Sequence, residues 1–408
     1  MAAGQKYKKT AFFVTLLACL LVALGDIRGL ITPVGYWLTW LIVIVAGLMP
    51  AWASWRMCRD GGELLLLTVF FIMMCLGFFL SSAANSDPYT FYQGLKMLVI
   101  AAFISVLHGC ARYLGPRDYL RISCLTVAVG FLCFVGAKYL ATGFFVQLGD
   151  GRQGSLFAWP GVLWKTAVFF VGFFIAQLFH ANRFRAGAAL SILVCGYLLV
   201  SDSSRTGFLW FCFILMAFGI SVLRRRVMLA LTLALLIAAA ALLAAVTFLA
   251  NTDPAASAPL LLNRFMEGDP IRNAMLQAGL EQAERCLPFG CGFGSTTAMV
   301  DGSPMVVHNT YLSSLGDIGV PGLLAVIGLL ATPLIFHVLR NLQPARDPTL
   351  PAFTLAALMG VCGYGFLLLF HPFSTEMSEW GLWGVMAAAL SSLSVQSSIA
   401  NIRQAEPL

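Results

Sequence analysis

Charged residues are scarce in this chain of 408 residues, at 11% of the sequence, whereas a typical soluble domain carries roughly 25%. This scarcity excludes an ordinary soluble globular protein, because too few charges are present to cover a water-exposed surface. The 60% hydrophobic content indicates the same. Histidine is rarer still, with five in the chain, so acid–base chemistry by imidazole has few candidate positions.

Several familiar catalytic and targeting patterns are also missing. The glycines of LPFGCGFGSTT follow no apolar strand, so they indicate a tight loop rather than a dinucleotide-binding fingerprint. We find no serine nucleophile elbow, and no second histidine or acidic cluster lies at metal-ligand spacing from His308. The first apolar run lacks a small-residue cleavage pattern, so we expect no removable signal peptide.

Long apolar runs dominate what is present. Crossing a hydrocarbon layer of about 30 Å needs roughly 17 to 25 apolar residues. The sequence predicts about twelve such spans and therefore an all-α, multi-pass membrane protein. They lie at approximately 11–25, 31–52, 62–83, 92–111, 119–142, 160–180, 186–201, 206–222, 227–249, 319–341, 351–370 and 380–397.

The basic residues predict the orientation. With the N-terminus in the cytoplasm, most of the 25 Lys and Arg residues fall in cytoplasmic loops, as the positive-inside rule requires. An even number of spans returns the C-terminus to the same side. The net charge of +7 is thus a signal of topology and gives no support for nucleic-acid binding, whereas the membrane lipids are expected partners.

One polar stretch interrupts the apolar pattern and divides the chain into three parts. Residues 1–250 hold the first nine spans, 251–318 form a large extracytoplasmic loop, and 319–408 hold the last three spans and a cytoplasmic tail. Within the loop, Pro270 suits the first position of a helix that Asp269 can cap. Met275, Leu276 and Leu280 are expected to share its apolar face.

Two of the eleven cysteines lie in this loop, whereas most others lie in spans and are interpreted as small buried residues. Cys286 and Cys291 flank a Pro-Gly turn in CLPFGC. An oxidising compartment permits a disulfide between them, and two free thiols are the alternative.

The basic residues that break the orientation rule are candidate anion ligands. Arg205 lies in the tight turn SDSSRTG beside Ser204, where a guanidinium suits bidentate binding of phosphate. Arg272 lies in the first turn of the predicted loop helix, whose free N–H groups favour anions. Arg264, Arg152 and Lys165 are weaker candidates. The basic residues interpreted instead as reaching for lipid headgroups are Arg28, Lys96, Lys138 and Arg285.

His308 is the candidate base. It precedes Asn309, a helix-capping residue type, and Tyr311, Leu312 and Leu315 continue at helical spacing into the tenth span. This pattern predicts an imidazole at the start of a short helix at the membrane surface. Neighbouring cations and the helix N-terminus would keep such an imidazole neutral and able to accept a proton. His371, before Pro372, is interpreted as marking a helix end.

Taken together and in this order, the stretches SSRTG, IRNAMLQAGLEQAERCLPFGCGFG and HNTYLSSLGDIGVPGL resemble the O-antigen ligase and polymerase superfamily of membrane glycosyltransferases. The resemblance implies a GT-C-like helical fold with one large helical periplasmic loop between spans nine and ten, in the bacterial inner membrane. It implies a donor glycan linked to undecaprenyl pyrophosphate. In the ligase branch, the acceptor is a hydroxyl of the lipid A–core oligosaccharide of lipopolysaccharide.

The resemblance also implies roles for individual residues. His308, supported by Asn309 and Tyr311, would be the base on the acceptor hydroxyl, and Arg205 and Arg272 would hold the departing pyrophosphate. The expected reaction is an inverting transfer that needs no metal or other cofactor. An O-antigen polymerase, a protein O-oligosaccharyltransferase of the same superfamily and a transporter or flippase are the alternative functions.

Overall fold

The computed structural model describes residues 2–24, 28–57, 61–140, 163–180, 185–202, 205–222, 270–300, 302–340 and 350–405. These residues form twelve α-helices, one short 3-10 helix and one antiparallel hairpin.

The first eight helices are α1 (Ala2–Leu24), α2 (Arg28–Met57), α3 (Gly62–Asn85), α4 (Pro88–Leu114), α5 (Pro116–Leu140), α6 (Leu163–His180), α7 (Arg185–Asp202) and α8 (Arg205–Val222). The polar loop contributes α9 (Pro270–Arg285), β1 (Thr297–Val300) and β2 (Ser303–Val306). The chain then forms α10 (Thr310–Arg340), α11 (Leu350–Leu367), the 3-10 helix (Leu368–Phe370) and α12 (Met377–Ala405).

Length and composition make this a helical membrane protein. Six segments of the described part are long and apolar enough to cross a membrane, namely Tyr7–Leu24, Ile31–Arg56, Gly62–Asn85, Pro88–Leu114, Thr310–Arg340 and Ala352–Phe370. Val168–Phe179, Arg185–Tyr197 and Thr206–Phe218 are shorter apolar helices. The total of about twelve spans stays a prediction, since the ninth, 227–249, lies outside the described residues.

The loop helix predicted at Pro270 is present, and burial distinguishes the three residues predicted on its apolar face. Met275 is buried, whereas Leu276 and Leu280 are exposed. The buried face also includes Gly279, which lies against Val307 and Leu312 of the following chain. A glycine here lets the helix approach that chain closely, which a count of apolar residues does not predict.

The polar loop is not wholly helical, which corrects the expected all-α description. Strands β1 and β2 pair in antiparallel register, with Thr297 opposite Val306 and Val300 opposite Ser303. Gly302, at φ 79°, occupies the turn between them. The short hairpin brings the chain back to His308.

Helix α10 consists of two segments joined at Gly319, which has φ 73° and ψ −166°. The N–H of the next residue, Val320, donates to the Pro288 carbonyl at 3.0 Å. A side chain at Gly319 would put its Cβ 2.1 Å from the Pro288 oxygen. The glycine is therefore needed both for its backbone conformation and for the close approach of the loop.

The apolar helices pack closely against one another. Helices α3 and α10 lie in contact, and Gly77 of α3 faces the backbone of Ile318 and Gly322. Small residues at such contacts let two helix backbones approach each other, as is common in membrane proteins. Helix α4 in turn packs on α2, α3 and α12, and α6 packs on α7 and α11.

Buried ion pairs mark the two ends of the helical bundle. At one end, Glu63 at the start of α3 accepts hydrogen bonds from Arg112 and Ser391, both at 2.7 Å, and from Arg340. These partners lie near the ends of α4 and α10 and within α12. The other end, where α4, α6, α10 and α12 begin, carries the predicted site and is called the site end below.

Replacing Gly319 with alanine should destabilise the protein strongly. We expect a loss of about 3 kcal/mol or more, because backbone strain and a clash with the loop act together. The measurement is the thermal unfolding midpoint of purified protein in detergent.

Gly302→Ala is the matched control. Gly302 also has a positive φ of 79°, but a Cβ there would meet nothing within 4 Å. Its cost should be about 1 kcal/mol, from the backbone alone. Equal effects of the two substitutions would contradict the close approach at Gly319.

Candidate functional site

His308 lies between β2 and α10, and the structure assigns its orienting partner. Its Nδ1 is 2.9 Å from the Val306 carbonyl oxygen. A carbonyl oxygen only accepts hydrogen bonds, so Nδ1 carries a hydrogen and, in the neutral ring, Nε2 is the basic nitrogen. Among the described residues, Nε2 of His308 has no hydrogen-bond partner. This arrangement suits a proton acceptor.

The residues after His308 fix the start of α10. Asn309 caps the helix as predicted, because its Oδ1 accepts from the Leu312 N–H at 3.1 Å. The Tyr311 hydroxyl donates to the Gly365 carbonyl at 2.8 Å and thereby ties α10 to α11. Both residues predicted to support His308 therefore hold the backbone around it.

A clamp on Asp317 connects this helix to the glycine loop, residues 286–296. The carboxylate accepts from the N–H groups of Gly294, at 2.8 Å, and Thr296, at 2.9 Å. The hydroxyls of Thr296 and Ser295 donate to it at 2.6 and 3.3 Å. The Asp317 carbonyl also accepts from Ser81 of α3 at 2.7 Å. The buried carboxylate thus joins the loop and α10, and its carbonyl joins α3.

The glycine loop is closed at its start by a disulfide between Cys286 and Cys291. The N–H of Cys291 donates to the Gly316 carbonyl at 2.8 Å, beside the Asp317 clamp. Asn85 of α3 donates to the Gly290 carbonyl at 3.0 Å. The chain between the two cysteines is therefore held against both α3 and α10.

Lys165, a predicted pyrophosphate ligand, lies at the site end, where its ammonium group contacts two side chains of the protein. Its side chain is 2% exposed, and Nζ donates to Glu379 Oε1 at 2.6 Å and to His371 Nε2 at 2.9 Å. A buried, paired ammonium is not free to bind pyrophosphate directly in this arrangement. A direct role of Lys165 as a ligand stays a prediction.

His371 is more than a helix end, which corrects its interpretation from sequence. An ammonium only donates, so the Nε2 of His371 accepts from Lys165 and the hydrogen lies on Nδ1, which is 3.3 Å from the Pro372 carbonyl. Burial, followed by the charge of Lys165, lowers the pKa of His371 from 6.5 to about 4. His371 is therefore neutral at physiological pH.

The two histidines belong to one site. Thr310, two residues after His308, donates through its hydroxyl to the His371 carbonyl at 2.8 Å. His308 is also near enough to contribute to the lowered pKa of His371. Ser313 adds a second link, because its hydroxyl accepts from the Phe373 N–H at 3.1 Å.

A second lysine pairs with the same inter-helix segment, residues 371–379. Lys96 Nζ lies 2.9 Å from Glu376 Oε1, and the Lys96 side chain is 10% exposed. It also lies over the ring of Trp37, 5.6 Å from the centroid. The interpretation of Lys96 as reaching for lipid headgroups is therefore wrong.

The remaining predicted residues divide into two groups. Arg205 is the first residue of α8 and Arg272 belongs to the first turn of α9, but their side chains lie outside the described part of the structure. Arg152, Arg264 and Ser204 lie outside the described residues altogether. Their proposed contacts with pyrophosphate stay predictions.

The sequence contained a signal for the residues that were missed. Glu379 lies in the first turn of the apolar helix α12, and His371 lies shortly before that helix. Ionisable groups at such positions are costly unless they are paired or functional. Their partner Lys165 is 214 positions away from Glu379 and 206 from His371. The signal therefore marks the residues but does not identify the pairing.

No protein-family model matches the chain, and no curated protein matches it significantly. Across the described ranges, no group of three or more His, Cys, Asp or Glu side chains is arranged to hold a metal ion.

Acidification should destabilise the protein through His371. The unfolded chain binds a proton near pH 6.5, whereas folded His371 does so only near pH 4. Stability therefore falls as the pH drops from 6.5 towards 4, by at most about 1.4 kcal/mol per pH unit from this residue. Unfolding midpoints in detergent at pH 7.5 and pH 5 measure the effect.

His371→Gln is the comparison, since glutamine can accept a hydrogen bond but does not titrate. The variant should lose less stability than the wild type between the two pH values. An equal loss in both proteins would show that other groups cause the acid sensitivity.

Proposed function

We propose that the protein is a membrane glycosyltransferase of the O-antigen ligase type. It would transfer a glycan from undecaprenyl pyrophosphate to a hydroxyl of lipid A–core oligosaccharide on the periplasmic side of the inner membrane. The observation that supports this most directly is the geometry of His308, whose Nδ1 is held by the Val306 carbonyl while Nε2 remains the basic atom. The motifs around Arg205, Arg272 and His308 supply the family resemblance.

The reaction follows from these groups. His308 Nε2 takes the proton of the acceptor hydroxyl as the oxygen attacks the anomeric carbon. A new glycosidic C–O bond forms, the C–O bond to pyrophosphate breaks, and the configuration at the anomeric carbon inverts. Arg205 and Arg272 would neutralise the charge that develops on the leaving pyrophosphate. Arg264 and Arg152 are assigned to the same task by their predicted side of the membrane alone.

The position of His308 suits lipid-borne substrates. It precedes a helix long and apolar enough to cross a membrane, and the polar loop packs against the start of that helix. A base at this boundary could meet a head group while the lipid chain stays in the hydrocarbon layer. A glycan already activated as a pyrophosphate ester also needs no nucleotide for its transfer.

Removing the base tests the proposal. His308→Gln should lower the transfer rate by roughly 10²- to 10⁴-fold, the usual contribution of a positioned general base. The assay uses purified protein, the undecaprenyl-pyrophosphate-linked glycan and lipid A–core, and follows capped lipopolysaccharide on gels. In cells, the same variant should accumulate long lipid-linked glycan.

His337→Gln is the matched control, because His337 lies at the opposite end of the bundle beside Ser394. It should retain transfer at a similar membrane abundance. Undiminished transfer by His308→Gln would overturn the assignment of the base. Loss of the long-chain donor itself, with ligation intact, would indicate the polymerase.

Transfer should also persist in the presence of EDTA. In the proposed reaction, arginine side chains neutralise the negative charge of pyrophosphate, a task that a divalent ion performs in other enzymes. We therefore expect the rate to change less than about twofold. The assay is repeated after dialysis against the chelator, with added Mg²⁺ as the comparison. A rate that collapses in EDTA and recovers with Mg²⁺ would contradict a metal-independent reaction.

A further inference from the structure

The start of the glycine loop presents apolar side chains away from the protein. Leu287, Pro288 and Phe289 lie between the disulfide-bonded Cys286 and Cys291, and all three are exposed. The two largest side chains, Leu287 and Phe289, are 48% and 45% exposed. These three residues are called the apolar tip below. Neighbouring large apolar side chains are unfavourable in water, so their exposure indicates an apolar environment outside the chain.

The apolar tip is fixed to two helices that are long and apolar enough to cross a membrane. The Pro288 carbonyl accepts from the N–H of Val320, just after the kink in α10, at 3.0 Å. The Gly290 carbonyl accepts from Asn85, the last residue of α3, at 3.0 Å. The tip therefore has a defined position along both helices.

That position lies one hydrocarbon thickness from the other end of the bundle, where Arg340 of α10 pairs with Glu63 of α3. At about 1.5 Å per residue, the chain rises about 30 Å from Val320 to Arg340 and about 33 Å from Glu63 to Asn85. The hydrocarbon layer of a bilayer is also about 30 Å thick. The apolar tip thus lies where both helices leave this layer.

The tip also continues an apolar helix face. Val320, Leu324 and Ile327 of α10 are exposed, and their spacing of four and three residues places them on one side of the helix. In a membrane-crossing segment, such a face contacts the acyl chains of lipids. Since Val320 is bonded to Pro288, the tip extends this face outward.

The charged residues just before the tip do not favour one sign of headgroup. Glu281, Glu284 and Arg285 are exposed, and Arg285 lies 4.0 Å from Glu281. Membrane contact by such a segment depends on its apolar area and on its attraction to anionic lipids. Here the apolar area is the expected basis.

We propose that the apolar tip is an interfacial membrane anchor, which inserts Leu287 and Phe289 among the acyl chains at the boundary of the leaflet on the site side. The partner is the lipid bilayer itself, without a requirement for a particular headgroup. The anchor fixes the depth of the glycine loop at the membrane surface. This inference concerns the position of the loop and does not rest on the proposed function.

Photochemical crosslinking tests the anchor. A benzoylphenylalanine, which reacts with nearby C–H bonds under ultraviolet light, replaces Phe289 in the full chain. The protein is reconstituted in nanodiscs of phosphatidylcholine, a lipid without net charge, then irradiated and measured by intact mass spectrometry. We expect an added mass of one lipid molecule. The same probe in place of Leu287 should give the same product, and it replaces the first probe if that variant does not fold.

Two further positions provide matched controls. A probe at Leu324, on the exposed face of α10, should form lipid adducts and shows that the reaction works in the nanodisc. A probe at Met299 is the second control, because Met299 is more exposed than either tip residue but its strand pairs with β2. Adducts at the tip should approach the yield at Leu324 and exceed the yield at Met299 severalfold.

Lipid adducts with this pattern support the anchor. Reaction at Leu324 without lipid adducts at the tip would overturn it. Crosslinked dimers in place of lipid adducts would assign the tip to a contact between copies of the chain and overturn it as well. Equal yields at Met299 and the tip would show that lipid contact is not specific to the tip. Transfer activity is not measured, so failure of the proposed function leaves this test unchanged.

Discussion

A carboxylate buried among apolar helices is stable only where its oxygens are hydrogen-bonded, and Asp317 meets this requirement with groups from the glycine loop. Backbone N–H groups of Gly294 and Thr296 and two hydroxyls satisfy it. The loop then continues into the hairpin, and the Val307 N–H returns to the Thr296 carbonyl at 3.0 Å. The position of His308 depends on this chain of contacts.

Buried ion pairs set which helices are neighbours. Glu63 joins the ends of three helices at one end of the bundle, and Lys165–Glu379 and Lys96–Glu376 do the same at the site end. Removing one partner of such a pair leaves an uncompensated charge and typically costs about 3 to 5 kcal/mol, so these pairs disfavour other packings of similar apolar helices.

Features controlled by nearby residues could be predicted from the sequence. The helix start at Pro270, the cap at Asn309 and the turn between Cys286 and Cys291 each involve residues within a few positions of one another. Which residues of the loop helix are buried could not be predicted, because the helix packs through Gly279 against Val307 and leaves Leu276 exposed. Lys96 was misinterpreted because its partner lies 280 residues away.

The sequence by itself determined that this is a helical membrane protein, and it marked His308 as the residue before a helix cap. Hydrophobicity and capping suffice for this, because both act over a few residues of chain. Only the tertiary structure decided that Val306 orients His308 and that Lys165, Glu379 and His371 share one cluster. Such pairings depend on how the helices pack, since a buried charge is stable only where a neighbouring helix supplies a group of opposite charge or a hydrogen bond.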